Sequence, residues 1–238
     1  MLTIVLVHGA FADASSWNRA IERLQIEGHT VIAPANPLRG LAQDSAYVAS
    51  VVGQIDGPVL LVGHSYAGAV ISNIAPEGHN VVALVFVAAF APDEGELLGD
   101  IAARSKDAIL SQALQQRKYP MGADGPTGVE FLVDPARFHE IFAADLPAEI
   151  AAVLAASQRP VAQGAFSEKA GPPGWKTVPA WAAVATGDKA AGTDIVRINA
   201  QRAGAKIVEI EGSHLVMLSQ PDAVTEVILD AARTRALR

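Results

Sequence analysis

The chain carries 238 residues, half of them apolar and 18% charged, with 20 Gly and 14 Pro spread along it. That composition excludes a disordered segment, a collagen-like repeat and a long charged coiled coil, and it suffices for one large buried core. A net charge of -7, with no Lys or Arg run longer than two, lacks the positive field that nucleic acid or an anionic membrane requires.

Cysteine is absent, which removes disulfides, thiolate metal sites and thiol nucleophiles and fits a reducing compartment. No apolar run reaches the ~18 residues of a membrane-spanning helix. The opening residues Met1 to Val7 read as a strand rather than a signal segment. A soluble, cytoplasmic protein is expected, without nucleic acid or membrane as a partner.

Taken in chain order, residues 2–7 predict a first strand that ends in Val7-His8-Gly9-Ala10-Phe11. A helical stripe follows at Trp17, Ala20, Ile21 and Leu24, closed by Gly28, and then a strand at 30–33. Val48, Val51, Val52 and Ile55 mark a second helix stopped by Gly57-Pro58. Strands come next at 58–62 and 81–90, and later at 180–186 and 205–210. The last two are separated by a helix running from near Thr193 to Gly204, and Val224, Val227, Ile228 and Ala231 form the final stripe. These strands are apolar nearly throughout and do not alternate, as in a parallel sheet covered on both faces. The predicted fold is α/β: a mostly parallel six-stranded sheet flanked by helices, in a single domain over 1–238.

Residues 91–178 break the rhythm. They show no convincing strand and three helix-like pieces, at Ser105 to Arg117, Pro135 to Asp145 and Pro147 to Ser157. That length exceeds a crossover, so the interval is read as an inserted helical lid over the carboxyl edge of the sheet, where open α/β sheets place ligands. A second structural layer without a functional role is the competing reading.

The segment Val59 to Val70 compresses a buried strand, a tight turn and a helix start, with Ser65 at the turn. A nucleophile there needs small residues two positions before and after it, and Gly63 and Ala67 meet that need. The usual form ends in Gly, so Ala67 is a departure. Ser65 also lies at a helix N-terminus, whose free N–H groups stabilise a developing anion.

A serine hydroxyl needs a base, and the base needs a third group to orient it. His214 follows the last strand, and Asp188 ends the strand before it, so both reach the edge that carries Ser65. The order Ser65, Asp188, His214 is that of α/β-hydrolases. His8 and His64 flank the centre and are read as structural. His139 falls in the insertion, and His29 and His79 precede strands on the far edge. Asp93 or Glu94, past the strand 81–90, is the alternative acid. Asp194 is read as a helix cap.

The loop after the first strand offers backbone N–H groups for an oxyanion; the proposed donors are Ala10 and Tyr66. Phe11, Trp17, Tyr66 and Met217 are placed to line an apolar pocket, though each is also a core candidate. The histidines show no ligand spacing and no glycine-rich phosphate motif follows a strand, so neither metal nor organic cofactor is expected.

Val7 to Phe11 through Ser16-Trp17, Gly63-His64-Ser65-Tyr66 and Ser213 to Leu218 together resemble the α/β-hydrolase superfamily over essentially the whole chain. Within it they are similar to small bacterial serine hydrolases akin to plant methyl esterases and hydroxynitrile lyases. The resemblance implies a sheet lacking the family's first two strands and a helical cap after the fourth strand. It also implies the roles given above to Ser65, Asp188, His214, Ala10 and Tyr66. The lyases carry Lys after the catalytic His and Thr after the first-strand His, where this chain has Leu215 and Gly9. Lys189 to Gly192 replaces a turn that often contains Pro in relatives. The expectation is a serine hydrolase that cleaves a small-molecule ester through an acyl-enzyme. Lactone opening, C–C cleavage or a lyase reaction on the same residues stay open, as does a receptor with vestigial hydrolysis. Nothing in the sequence speaks to oligomeric state.

Overall fold

The structure is a computed structural model that describes residues 2–74, 78 and 80–236; His79 lies outside the described residues. Buried along its whole length, β1 (Thr3–Val7) leads through one 3-10 turn at Ala14–Trp17 into α1 (Asn18–Ile26). There Trp17, Ala20 and Leu24 face inward while Ile26 faces solvent. Next come β2 (Thr30–Ile32), α2 (Leu41–Val52), β3 (Val59–His64), α3 (Ala67–Ser72) and β4 (Val81–Val87).

The insertion follows β4 and corrects the sequence reading, because its composition is mixed. It holds α4 (Leu98–Ala102), a 3-10 turn at Leu110–Ala113, β5 (Leu114–Pro120), β6 (Thr127–Val133), α5 (Pro135–Phe142), α6 (Ala148–Ser157), β7 (Val161–Ala162) and α7 (Gly164–Ser167). No helix spans Ser105 to Arg117. Instead β5 pairs antiparallel with β6, from Leu114 opposite Val133 to Pro120 opposite Thr127, and β7 extends this small sheet. Gln115, Gln116, Arg117 and Lys118 are all exposed, so β5 has no buried face to announce a period of two. Helix-favouring Gln, Arg and Lys are overridden there by cross-strand pairing. Arg39 anchors the hairpin, with Nη1 2.8 Å from the Glu130 carboxylate and its guanidinium 4.6 Å from the Tyr119 ring centre.

The main sheet resumes with β8 (Ala180–Ala185), α8 (Thr193–Arg202), β9 (Lys206–Ile210), the short α9 (Val216–Ser219) and α10 (Pro221–Ala236). Its order is β2-β1-β3-β4-β8-β9, and every pairing is parallel. The chain moves outward from β1 to β2, then returns to place β3 on the other side of β1. That reversal opens a crevice at the carboxyl ends of β1 and β3, the usual ligand position in such sheets. Among the described residues, no helix is long and apolar enough to cross a membrane.

Candidate active site

The β3–α3 turn forces Ser65 into the left-handed region, at φ 54°. Such a conformation costs a non-glycine residue about 1–3 kcal/mol, and three backbone hydrogen bonds offset it. Ser65 N–H donates to Val87 O at 3.1 Å, and Ser65 O accepts from Gly68 at 3.0 Å and Phe90 at 3.3 Å. A side chain at Gly63 would lie 2.6 Å from Ala67 O, so the position before the turn requires Gly. Ala67 itself fits, fully buried.

The loop after β1 packs directly on this turn. A Cβ on Gly9 would sit 2.8 Å from both His64 O and Ser65 Cβ, so only Gly permits the approach. Phe11 is also left-handed, at φ 60°. Neither the Ala10 nor the Tyr66 backbone N–H has a partner among the described residues, and both residues border the same cavity as Ser65.

His214 Nε2 lies 2.9 Å from Ser65 Oγ, and its Nδ1 lies 2.8 Å from Asp188 Oδ2. Asp188 and His214 are each 1% exposed. The other carboxylate oxygen of Asp188 accepts from the N–H groups of Ala190 at 2.8 Å and Ala191 at 2.9 Å. A carboxylate held by three donors cannot rotate away from the imidazole. Asp93 is engaged elsewhere, in an ion pair with Lys176, and Glu94 is exposed. Asp194 is not the cap of α8, which is Gly192; it lies in the first turn and accepts from Ser105 Oγ at 2.5 Å and Lys106 N–H at 2.8 Å, tying the insertion to the loop of Asp188.

The insertion also grips the histidine loop. Leu215 N–H donates to Phe142 O at 3.0 Å, and Ser213 Oγ bonds the Asp145 carboxylate. The Phe142 ring meets the His214 imidazole edge-on, with centroids 4.9 Å apart. The sequence places Phe142 and Asp145 only within the helix-like piece Pro135 to Asp145 and gives neither a role at the site, because neither carries a local motif.

Two further histidines are buried and neutral. His64 Nε2 lies 3.0 Å from His214 O, and since a carbonyl only accepts, Nε2 carries the proton. Burial pushes its pKa well below the ordinary value, with His214 adding to the shift. His8 Nε2 accepts from Asn36 N–H at 2.9 Å, so its Nδ1–H is the donor to Gly9 O, also at 2.9 Å. Burial lowers the His8 pKa to about 4, partly opposed by the Gly9 bond and reinforced by Arg159. Unfolding restores the ordinary value of 6.5, so between pH 6.5 and about 4 the unfolded chain takes up a proton that the folded one refuses. Stability is therefore full above that window and falls through it, by about 3 kcal/mol from His8, with His64 acting in the same direction. Urea unfolding measured across this range is expected to display the loss, and a flat profile would contradict the buried neutral imidazole.

Beside Ser65 and His214 opens a cavity of about 440 Å³, bordered by Ala10, Phe11 and Tyr66 from the core and by Phe131, Phe142 and Phe166 from the insertion. Two expected pocket residues are not there, and their placement is corrected. Trp17 is fully buried with its edge toward His64, centroids 6.4 Å apart. Met217 is fully buried because α9 turns inward against the Ala14–Trp17 turn and α1. His139 stays within the insertion, bonding Leu146 O at 2.9 Å.

A serine on a strained strand-to-helix turn, a histidine and an aspartate after later strands, and a parallel sheet in this order define the α/β-hydrolase class. The profile of the Alpha/beta hydrolase family matches residues 4–227, and the chain belongs to that family. A carbendazim hydrolyzing esterase from Nocardioides sp. (strain SG-4G) is 31% identical over 113 residues, which cover 41% of this chain and 46% of that one. The match therefore spans about half the length of that relative. Among solved structures, polyneuridine aldehyde esterase superposes with a TM-score of 0.81 at 23% identity, covering 98% of this chain and 99% of the other. Tomato methylketone synthase I, solved with 2-tridecanone, superposes with a TM-score of 0.78 at 22% identity, covering 98% of each chain. At those identities the likeness is one of fold.

Proposed function

We propose that this protein is a carboxylic ester hydrolase acting through an acyl-enzyme on Ser65. The observation that carries the reading is the unbroken chain Ser65 Oγ, His214 Nε2, His214 Nδ1, Asp188 Oδ2, with links of 2.9 and 2.8 Å, opening on an apolar cavity. In acylation, Oγ forms a bond to the ester carbonyl carbon as its proton passes to Nε2. The negative charge that develops on the carbonyl oxygen is met by the free N–H groups of Ala10 and Tyr66. Donors so aimed typically contribute several kcal/mol. Collapse of this adduct breaks the bond to the alkoxide, which leaves with the proton from Nε2. Water then enters with His214 as base, releasing the acid and restoring the Oγ proton. Asp188 keeps the imidazole in the tautomer with Nδ1–H and stabilises the imidazolium that forms.

Two relatives described as esterases support this reaction class. Leu215 and Gly9 stand where the lyase branch carries Lys and Thr, which favours hydrolysis over cyanohydrin cleavage. A fluorophosphonate or phenylmethylsulfonyl reagent should form one adduct per chain, mapped to Ser65 by peptide mass spectrometry. Failure to label, or a label elsewhere, would remove the mechanism.

A further inference from the structure

We infer that the cavity selects an uncharged, ring-bearing ester, a substrate class that rests on the acyl-transfer reading above. No charged side chain lines it. Its polar side chains, apart from Ser65 and His214, are nearly all committed within the protein. Tyr66 OH donates to Asp44 at 2.7 Å, Ser105 Oγ to Asp194, and Ser167 Oγ to Gln163 O at 3.2 Å. Of the polar residues described in the lining, Ser111 and Gln163 alone keep uncommitted side chains, and both are solvent-exposed. A carboxylate drawn past them loses its hydration and meets no cation.

The shape points to a ring. One wall is built from Gly99, Ala102, Ala103, Ala108, Ala190 and Ala191. It is continuous, because Ser105 bonds Asp194 and Ile109 N–H donates to Lys189 O at 2.9 Å, holding the two segments together. Each methylene missing from that wall forgoes apolar burial, so the space is kept open rather than filled. Most of the large apolar side chains in the lining are aromatic, namely Phe11, Tyr66, Phe90, Phe131, Phe142 and Phe166, with Leu110 and Leu114 beside them. Such rings favour edge-to-face and offset contacts with another ring. A closed apolar cavity of ~150 Å³ holds benzene, and this one, at about 440 Å³, has room for a ring, the ester group and a second substituent.

The test compares kcat/KM for ethyl 3-phenylpropanoate, ethyl acetate and ethyl hemisuccinate, followed by proton release so that only the first ester carries a ring, with fluorophosphonate titration counting competent sites. The phenylpropanoate should exceed the hemisuccinate by about 100-fold or more and the acetate by about tenfold. Ala102→Leu should collapse the phenylpropanoate-to-acetate ratio, and Leu110→Arg should raise the hemisuccinate-to-phenylpropanoate ratio about tenfold. Normal titration with equal rates on all three esters, or a preference for the hemisuccinate, overturns the substrate class and leaves the reaction standing. Absence of both labelling and turnover overturns the reaction and the substrate class together.

Discussion

Replacing Ser65 with Ala should lower kcat/KM for an activated ester by about 10⁴- to 10⁶-fold, the range seen when a serine nucleophile is removed from such an arrangement. The fold should survive, because the turn is held by backbone bonds to Val87, Gly68 and Phe90 that alanine retains. Ala88 already adopts φ 44° in this protein, so the left-handed geometry does not demand the hydroxyl. Residual turnover would come from the free N–H groups of Ala10 and Tyr66 polarising the carbonyl for direct attack by water. Ester hydrolysis beside a thermal unfolding trace separates lost chemistry from lost structure. A variant that keeps more than about a hundredth of wild-type turnover would end the case for Ser65.

Asp188→Asn should cost about 10³- to 10⁴-fold in kcat/KM with little change in KM. The reason lies in the donors around the carboxylate. Its two oxygens accept from His214 Nδ1, Ala190 N and Ala191 N, at 2.8 to 2.9 Å. An asparagine that keeps its oxygen toward His214 turns its NH₂ against two backbone donors in a site only 1% exposed. Turned the other way, its NH₂ faces Nδ1 and favours the tautomer with the proton on Nε2, which cannot take the serine proton. Both orientations fail for want of an acceptor. The rate of fluorophosphonate labelling should fall in parallel, since it depends on the same proton transfer. A loss within tenfold would mean that Asp188 does not orient the base.

Much of this site was legible along the chain because its parts are local. A buried apolar run followed by Gly63-His64-Ser65 needs only short-range sterics to form a tight turn, and Asp188 and His214 lie within four residues of the ends of β8 and of the edge strand β9, both legible as Val-, Ile- or Ala-rich runs. Asp145 was invisible, since its bond to Ser213 joins two segments that only the folded insertion brings together. The β5–β6 hairpin was hidden for a related reason: its outer strand exposes Gln115 to Lys118 and carries no periodic signal. Trp17 and Met217 were misplaced because hydrophobicity says that a side chain is buried without saying on which side of the sheet edge it lies.

The sequence by itself determined the parallel α/β sheet and the three strand ends that carry Ser65, Asp188 and His214, because apolar runs, glycine turns and helical stripes act over a few residues each. Only the tertiary structure decided what surrounds them. The free N–H pair, the neutral His64 under His214, the grip of Phe142 and Asp145 on the histidine loop, and the wall of small residues opposite none of its own charges all arise where distant segments converge. Side-chain direction and desolvation are set by that convergence, and neither is a property of any one stretch of chain.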